Sequence, residues 1–304
     1  MLKEAFQKKL DEAVSQGLLT YQKDKPLSSC STFRIGGPVS FAVYPLCEQG
    51  VIETVNAAHF ARVPLRVVGS GSNILFPDEG FEGAILFTRN LCRVSFDGTI
   101  IRAGAGIALS ALALEAAKKG LSGLEFAYGI PGSLGGGVYM NAGAYDHELA
   151  EVVVESRYYD VTHKGLGYFR ENEHEFSYRH SVYKNQDDLI VLAVRMDLKE
   201  DDPEAIKARM DDYMQRRRAK QPLEYPSAGS AFKRYPGYFT AKLIDEVGLK
   251  GVSVGGAAVS EKHAGFVINK GDATASEVKE LMALIEQRIF EKYGIHIERE
   301  IIYF

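Results

Sequence analysis

Leu65-Arg66-Val67-Val68-Gly69-Ser70-Gly71-Ser72-Asn73-Ile74-Leu75 sets the reading of the whole chain. A short apolar run ends in five small or polar residues, and apolar character then resumes. The run predicts a buried strand, and residues 69–73 a tight loop leaving it. Glycines let a backbone come close to a ligand, and successive N–H groups form a concave anion site. Residues 69–73 are therefore read as a pyrophosphate cradle for a nucleotide cofactor. The plainer alternative is a glycine turn between two strands.

Two familiar nucleotide loops are excluded. The dinucleotide fingerprint G-x-G-x-x-G needs a third glycine at position 74, which is Ile74, and the following Ile74-Leu75-Phe76-Pro77 reads as extended rather than helical. No G-K-[ST] occurs anywhere, so there is no Walker A loop. Gly251-Val252-Ser253-Val254-Gly255 formally matches a hydrolase nucleophile elbow. That elbow needs a strand before the serine and a helix after it, and the glycine-rich flanks suit neither.

The composition is that of a globular protein: 304 residues, 46% hydrophobic and 25% charged, long enough for two or three cores. A net charge of -4 gives no case for nucleic-acid binding. Three cysteines, Cys30, Cys47 and Cys92, without C-x-x-C spacing, argue against a disulfide framework or structural zinc and suit a reducing compartment. The histidines lack metal-ligand spacing, so no metal is expected. The N-terminus reads as an amphipathic helix rather than a signal peptide, and no apolar run is long enough to span a membrane. A cytoplasmic, monomeric protein with small-molecule partners, and with neither nucleic-acid nor membrane partners, is the expectation.

Working outward, residues 2–16 predict a helix with Phe6, Leu10 and Val14 on one stripe and Gly17 as its stop. Residues 40–44 read as a strand, 48–60 as a helix and 65–68 as the strand before the loop. Strands follow at 84–88 and 99–103, then a helix over 107–119 with Gly120 at its left-handed cap. A second glycine-rich segment runs from Gly129-Ile130-Pro131-Gly132-Ser133-Leu134-Gly135-Gly136-Gly137 to Asn141-Ala142-Gly143-Ala144. A mobile linker is polar, whereas this one is interleaved with apolar residues, which favours backbone packed against a ligand. Strands at 152–160 and 189–194 flank Tyr178-Arg179. Pro203 opens a helix ending in Arg216-Arg217-Arg218-Ala219-Lys220, read as solvated charge with Lys220 open to a phosphate. In the last third, 239–247 reads as a helix, 264–269 as a strand, and Thr274-Ala275-Ser276-Glu277 as a capping box before a long helix. Residues 295–304 read as a terminal strand carrying Glu298 and Glu300.

Taken together these segments resemble one family, the flavin-dependent UDP-N-acetylenolpyruvoylglucosamine reductases (MurB) of bacterial cell-wall synthesis. The resemblance rests on Thr32-Phe33-Arg34-Ile35-Gly36-Gly37, residues 69–73, Ile130-Pro131-Gly132-Ser133 with Asn141-Ala142-Gly143-Ala144, Tyr178-Arg179, and Ala228-Gly229-Ser230-Ala231-Phe232-Lys233. Residues 256–265 and Ile297-Glu298-Arg299-Glu300-Ile301 carry it to the C-terminus. It implies an α+β chain with a two-part FAD-binding fold, like that of vanillyl-alcohol oxidase, and a C-terminal α/β substrate domain. The implied parts are residues 1–76 joined by 297–304, residues 77–200, and residues 201–296.

The resemblance further implies FAD, NADPH as co-substrate, and reduction of the enolpyruvyl group of a UDP-sugar for peptidoglycan precursor synthesis, hence for cell shape and division. By matching position, Ser230 protonates the enolate, and Arg179 and Glu300 stabilise it. Arg34, Gly69, Ser70, Gly71, Ser72, Asn73, Pro131, Gly132, Ser133, Asn141, Gly143 and Ala144 hold FAD, and Tyr178 and Lys220 touch substrate. Arginine offers a fixed charge and a planar fork for a carboxylate or enolate oxygen. A serine is a weak acid, and donates only to a very basic acceptor such as an enolate. Glu300 helps only if protonated or bonded through water. Period-two alternation puts Glu298 and Glu300 on one face, so only the family spacing selects Glu300. The short interval between Arg179 and Ser230 holds no counterpart of the tyrosine-bearing loop that one subgroup carries there, which places this chain in the shorter subgroup. Two alternatives stand beside this reading: another FAD-dependent oxidase or dehydrogenase of the superfamily, or a non-catalytic nucleotide-binding module.

Overall fold

Helix α1 (Leu2–Ser15) opens the chain in the computed structural model, which describes residues 2–304. It buries Phe6, Leu10 and Ala13, while Val14 is 39% exposed. The expected stripe through Val14 is thus corrected. At 100° per residue Ala13 falls back under Phe6, whereas Val14 points about 80° away from it. Phe6 packs edge-on against Phe41 at 5.0 Å.

The described residues divide into two compact units. The first comprises residues 2–23, 41–70 and 83–215. One of its sheets has the strand order Leu19–Pro26, Pro38–Pro45, Phe81–Phe87, Leu65–Val68. Helix α2 (Glu48–Ala61) crosses over to Leu65–Val68, which pairs in parallel with Phe81–Phe87 from Leu65 opposite Ala84 to Val68 opposite Phe87. Leu65–Val68 was expected to be buried. It is the edge strand, so Arg66 and Val67 face solvent and only Val68 is buried.

The second sheet is antiparallel, in the order Gly165–Arg170, Val153–Asp160, Leu189–Asp197, Ile100–Gly104, Val94–Asp97. Helices α3 (Leu109–Lys118) and α4 (Leu134–Met140) contribute Leu109, Leu112, Leu134 and Val138 to its core, beside Ile101, Val194 and Met196. Helix α5 (Pro203–Lys220) adds Ile206 and Met210. Helix α4 was not expected, because three consecutive glycines are poor helix formers. Packing overrides that preference: a methyl at Gly135 would sit 2.8 Å from Ala105 Cβ, and one at Gly137 2.8 Å from Leu149 Cδ1. Glycine is what lets this helix lie against its neighbours.

The second unit comprises residues 24–40, 71–82 and 216–304. Its sheet runs Ser227–Ser230, Phe266–Asn269, Ala257–Val259, Ser253–Val254, all antiparallel. Helices α6 (Thr240–Glu246) and α7 (Ala275–Tyr293) enclose a core of Phe33, Ile35, Leu75, Leu243, Ile244, Val278, Leu281 and Ile285. The capping box is present: Glu277 N donates to Thr274 Oγ1 at 3.1 Å and Thr274 N to a Glu277 carboxylate oxygen at 3.0 Å. Gly294, at φ 67°, ends the helix. Asp78 also accepts from Ala275 N at 2.6 Å and Ser276 N at 3.0 Å. Burial opposes its ionisation, yet these bonds hold its carboxyl below the usual range. The expected terminal strand shrinks to Ile302–Tyr303, which pairs in parallel with Ile74–Leu75. Residues 295–298 lie outside any strand, directly after the Gly294 cap that ends α7.

Candidate active site

In the first unit the cofactor candidates gather at the N-terminus of α4. Ser133 precedes that helix, is 1% exposed, and its Oγ has no hydrogen-bond partner. A buried hydroxyl without a partner is rare and costs the desolvation of that group. A Cβ on Gly69 would run into the same Oγ. Gly69 is thus required here for space rather than for a special dihedral. An orphaned donor facing backbone that must stay bare fits an anionic group such as a pyrophosphate, the chemistry FAD brings. Pro131 is exposed and Gly132 half-buried beside it, and the Gly132 carbonyl accepts from Leu109 N at 2.9 Å. Ser70 is half-buried.

Asn141 closes α4 in a left-handed conformation, φ 43°, and is fully buried. Its side chain is taken up by protein, a detail the sequence did not reveal: Nδ2 donates to the Ser177 carbonyl at 3.1 Å and Oδ1 accepts from Ala150 N at 3.0 Å. Gly143 and Ala144 then pair with Glu148 and His147 in a short hairpin. Arg179 occupies the third position of a turn closed by Ser177 and His180, bonded to each other at 3.0 and 3.2 Å. Its φ is 56°, a position where glycine or asparagine is usual. The guanidinium donates to the Gly143 carbonyl at 3.2 Å and lies 5.0 Å from the Tyr178 ring centroid. Tyr178 itself is 45% exposed.

The flanks of that turn share one anchor. Ser156 Oγ lies 2.8 Å from His174 Nε2 and 2.7 Å from Tyr183 OH, all three fully buried or nearly so. His174 Nδ1 is 3.0 Å from the Glu171 carbonyl, which can only accept. The proton therefore sits on Nδ1, Nε2 accepts from Ser156, and Ser156 accepts from Tyr183. Burial pushes the His174 pKa down and the Tyr183 pKa up. An unfolded chain takes up a proton near pH 6.5 that folded His174 refuses. Stability from this group is complete above that pH and falls below it, by at most about 1.4 kcal/mol per pH unit. Urea midpoints at pH 7.5 and 5.5 check this: the drop should be smaller in His174→Gln than in the unsubstituted protein.

In the second unit Gly71 takes φ 66°, and a Cβ there would strike the Cys30 carbonyl. Its own carbonyl accepts from Thr32 N at 3.3 Å. The Thr32 hydroxyl donates to the Ser227 carbonyl at 2.8 Å, and Asn269 Nδ2 to the Phe33 carbonyl at 3.2 Å. The next residue, Arg34, is exposed at φ 58°, a costly conformation for arginine. Ser72 is half-buried. Asn73 Nδ2 donates to the Glu300 carbonyl at 3.1 Å, and the Asn73 carbonyl accepts from Ile302 N at 3.0 Å. The far end of the glycine loop is thereby fastened to the chain terminus.

That terminus also meets the serine strand. Glu300 N donates to the Ala231 carbonyl at 2.9 Å, Lys233 N to the Glu298 carbonyl at 2.8 Å, and Phe232 bridges Arg299. Ser230 and Glu300 are thus held on neighbouring stretches. The two acids, indistinguishable in sequence, differ here. The Glu298 side chain is 74% exposed and paired with Lys233 at 2.8 Å, which holds its carboxyl below the usual range, whereas Glu300 is half-buried. A bulge separates Ser227 from Ser230, and Gly229 at φ 80° has open space where a side chain would be. Bulges re-aim side chains, and this one leaves an approach beside Ser230. His263 supports the strand from behind: its Nδ1 accepts from Gly265 N at 3.1 Å, and the Gly265 carbonyl accepts from Ala231 N at 2.8 Å. Burial and the charges of Lys250 and Lys220 keep His263 neutral by lowering its pKa. Lys220 is exposed at the end of α5.

Among the described residues no group of His, Cys, Asp or Glu is placed to hold a metal, and no helix is long and apolar enough to cross a membrane. Residues 39–163 match the family model of an FAD binding domain. Residues 221–304 match that of the UDP-N-acetylenolpyruvoylglucosamine reductase C-terminal domain. The chain is 47% identical to the UDP-N-acetylenolpyruvoylglucosamine reductase of Syntrophomonas wolfei over 91% of its own length and 93% of the relative's. It is 42% identical to the enzyme of that name from Caldicellulosiruptor saccharolyticus, covering 96% and 94%. The solved MurB structure from Thermus caldophilus superposes with a TM-score of 0.78 at 33% identity, covering 94% of this chain and 98% of that one. The two-part FAD-binding α+β fold is therefore present. On these matches the chain belongs to the UDP-N-acetylenolpyruvoylglucosamine reductase family.

Proposed function

We propose that this chain reduces the enolpyruvyl group of UDP-N-acetylglucosamine enolpyruvate to the lactyl ether of UDP-N-acetylmuramate, with NADPH as reductant, acting in the cytoplasm as a monomer. The observation that carries the reading is the stretch joining Ser230 to Glu300 beside the open space at Gly229. FAD, when bound, supplies a carrier for the hydride that passes from NADPH to the enolpyruvyl double bond. Residues 1–76 with 297–304, and residues 77–200, serve to hold it, and residues 201–296 to hold the sugar nucleotide.

The chain's own residues do the rest. Gly69, Ser70, Gly71, Ser72, Asn73, Gly132 and Ser133 bind the pyrophosphate, the Ser133 hydroxyl gaining the partner it lacks. Arg34, Pro131, Gly143 and Ala144 line the cofactor, and Asn141, its amide engaged by Ser177 and Ala150, faces it with backbone alone. Hydride addition leaves negative charge on the enolate, delocalised onto the carboxylate. Arg179 meets that charge with a fixed guanidinium, and Glu300 helps as a hydrogen-bond donor or through water. The Ser230 hydroxyl gives its proton to the enolate carbon, which completes addition of one hydride and one proton across the double bond. Tyr178 and Lys220 contact the sugar nucleotide.

The exposed, Lys233-paired Glu298 is a poor candidate for the acid. Glu300→Gln should slow flavin reoxidation by substrate by about 10-fold or more, and Glu298→Gln by less than about twofold. Stopped-flow absorbance of the two variants decides between them. The reaction itself is tested by mass spectrometry of the sugar nucleotide after incubation with FAD-loaded protein and NADPH. A product richer by two hydrogens is expected, and unchanged substrate with unconsumed NADPH overturns the reading.

A further inference from the structure

Among the non-glycine residues of the first unit that hold left-handed backbone conformations are Asn141 at φ 43° and Arg179 at φ 56°. Asparagine visits this region readily. Arginine does not, and stays there only where its surroundings impose it. The two segments are tied reciprocally. Asn141 Nδ2 donates to the carbonyl of Ser177, two residues before Arg179, at 3.1 Å. Arg179 Nη2 donates to the carbonyl of Gly143, two residues after Asn141, at 3.2 Å. A third tie runs from Ser181 Oγ to the Tyr139 carbonyl at 2.9 Å. The amide orientation of Asn141 is fixed by its partners, since the Ser177 carbonyl only accepts and Ala150 N, at 3.0 Å from Oδ1, only donates.

We propose that Asn141 is a positioning residue for Arg179: its fully buried amide locks the Ser177–His180 turn to the end of α4, so that the guanidinium is in place before charge develops on the substrate. The inference rests on the assignment of Arg179 as the group that meets that charge. It divides the work of the second glycine-rich segment. Its backbone faces the cofactor, and the Asn141 side chain serves the arginine. A group displaced by about 1 Å from its productive position can lose on the order of 10²-fold in rate.

Asn141→Asp keeps the acceptor for Ala150 N and tolerates the left-handed backbone, but sets a carboxylate oxygen against the Ser177 carbonyl. Asn141→Gly keeps the backbone conformation and removes both side-chain bonds, and serves if the aspartate variant folds poorly. In either, reoxidation by the enolpyruvyl sugar is expected to lose up to about 10²-fold, in kcat rather than in the KM for NADPH, and flavin reduction by NADPH on the same FAD-loaded protein to be slowed far less. In an Arg179→Ala background the same substitutions should add less than about twofold, because they act through the residue already removed. Equal slowing of both half-reactions would make the Asn141 side chain a cofactor ligand, and multiplicative losses with Arg179→Ala would make it independent of the arginine; either overturns the proposal. Trypsin cleavage after Arg179 in the cofactor-free protein should be faster in both variants, and an unchanged rate refutes the tie itself. Faster cleavage together with an unsubstituted protein that never reoxidises its flavin with substrate defeats the assigned reaction, and the catalytic part of this proposal with it, while the tie stands.

Discussion

Ser230→Ala is expected to leave flavin reduction by NADPH close to normal and to slow reoxidation by the enolpyruvyl sugar by about 10²–10⁴-fold, the usual worth of a positioned proton donor. The separation follows from chemistry. Reducing the flavin asks nothing of a proton donor to substrate carbon, whereas hydride addition to the double bond creates an enolate carbon that must be protonated. Ser230 lies at the end of a bulged strand, its neighbour Gly229 at φ 80° with open space beside it, and the next carbonyl, of Ala231, accepts from Glu300 N. Removing one hydroxyl from a half-buried position should cost little stability, so the loss reads as chemistry rather than unfolding. Ser230→Cys, which keeps an acidic proton at the same place, should recover part of the rate. Rapid-mixing absorbance with each half-reaction run alone is the measurement. Equal slowing of both halves would remove Ser230 from the proton-transfer role.

The second large effect is on cofactor binding. Gly69→Ala drives a methyl into the Ser133 hydroxyl, the buried group with no partner. Overpacking of this kind costs about 1–3 kcal/mol, and borne by the cofactor-bound form it weakens FAD by roughly 5–150-fold. Gly69 does not sit at a positive φ, so the penalty is steric and not conformational. Adding Ser133→Ala relieves the collision but removes a hydrogen bond to the cofactor, and should restore thermal stability without restoring affinity. Quenching of FAD fluorescence on titration reads both. Undiminished affinity in Gly69→Ala would move the pyrophosphate elsewhere.

Much of this was legible in the chain itself, for reasons that differ by element. An amphipathic pattern located α1, Pro203 marked the start of α5, and the Thr274–Glu277 capping box placed the start of α7 on its observed residue. Periodicity alone could not tell Ala13 from Val14 as the third buried residue of α1, because alanine carries little hydrophobic signal. Helix α4 escaped because its glycines answer to Ala105 and Leu149, residues distant in sequence. The edge position of Leu65–Val68 was invisible for a similar reason, since pairing order is not a local property.

At the site, the family resemblance named Arg179, Ser230 and Glu300, and its spacing alone set Glu300 apart from Glu298; the Lys233 pairing that distinguishes the two acids lies 65 positions from Glu298 and had no signal in the alternation pattern. The double engagement of the Asn141 amide, and the Ser156 hydroxyl shared by His174 and Tyr183, join residues far apart in sequence and left no trace in any motif.

Bound FAD is expected to take electrons from NADPH and to lose them to the enolpyruvyl sugar. The most direct test follows the flavin absorbance of the FAD-loaded protein without oxygen, first on adding NADPH and then on adding UDP-N-acetylglucosamine enolpyruvate. Bleaching is expected in the first step and full recovery of the yellow band in the second. A flavin that stays yellow with NADPH, or stays bleached after the enolpyruvyl sugar is added, would contradict it.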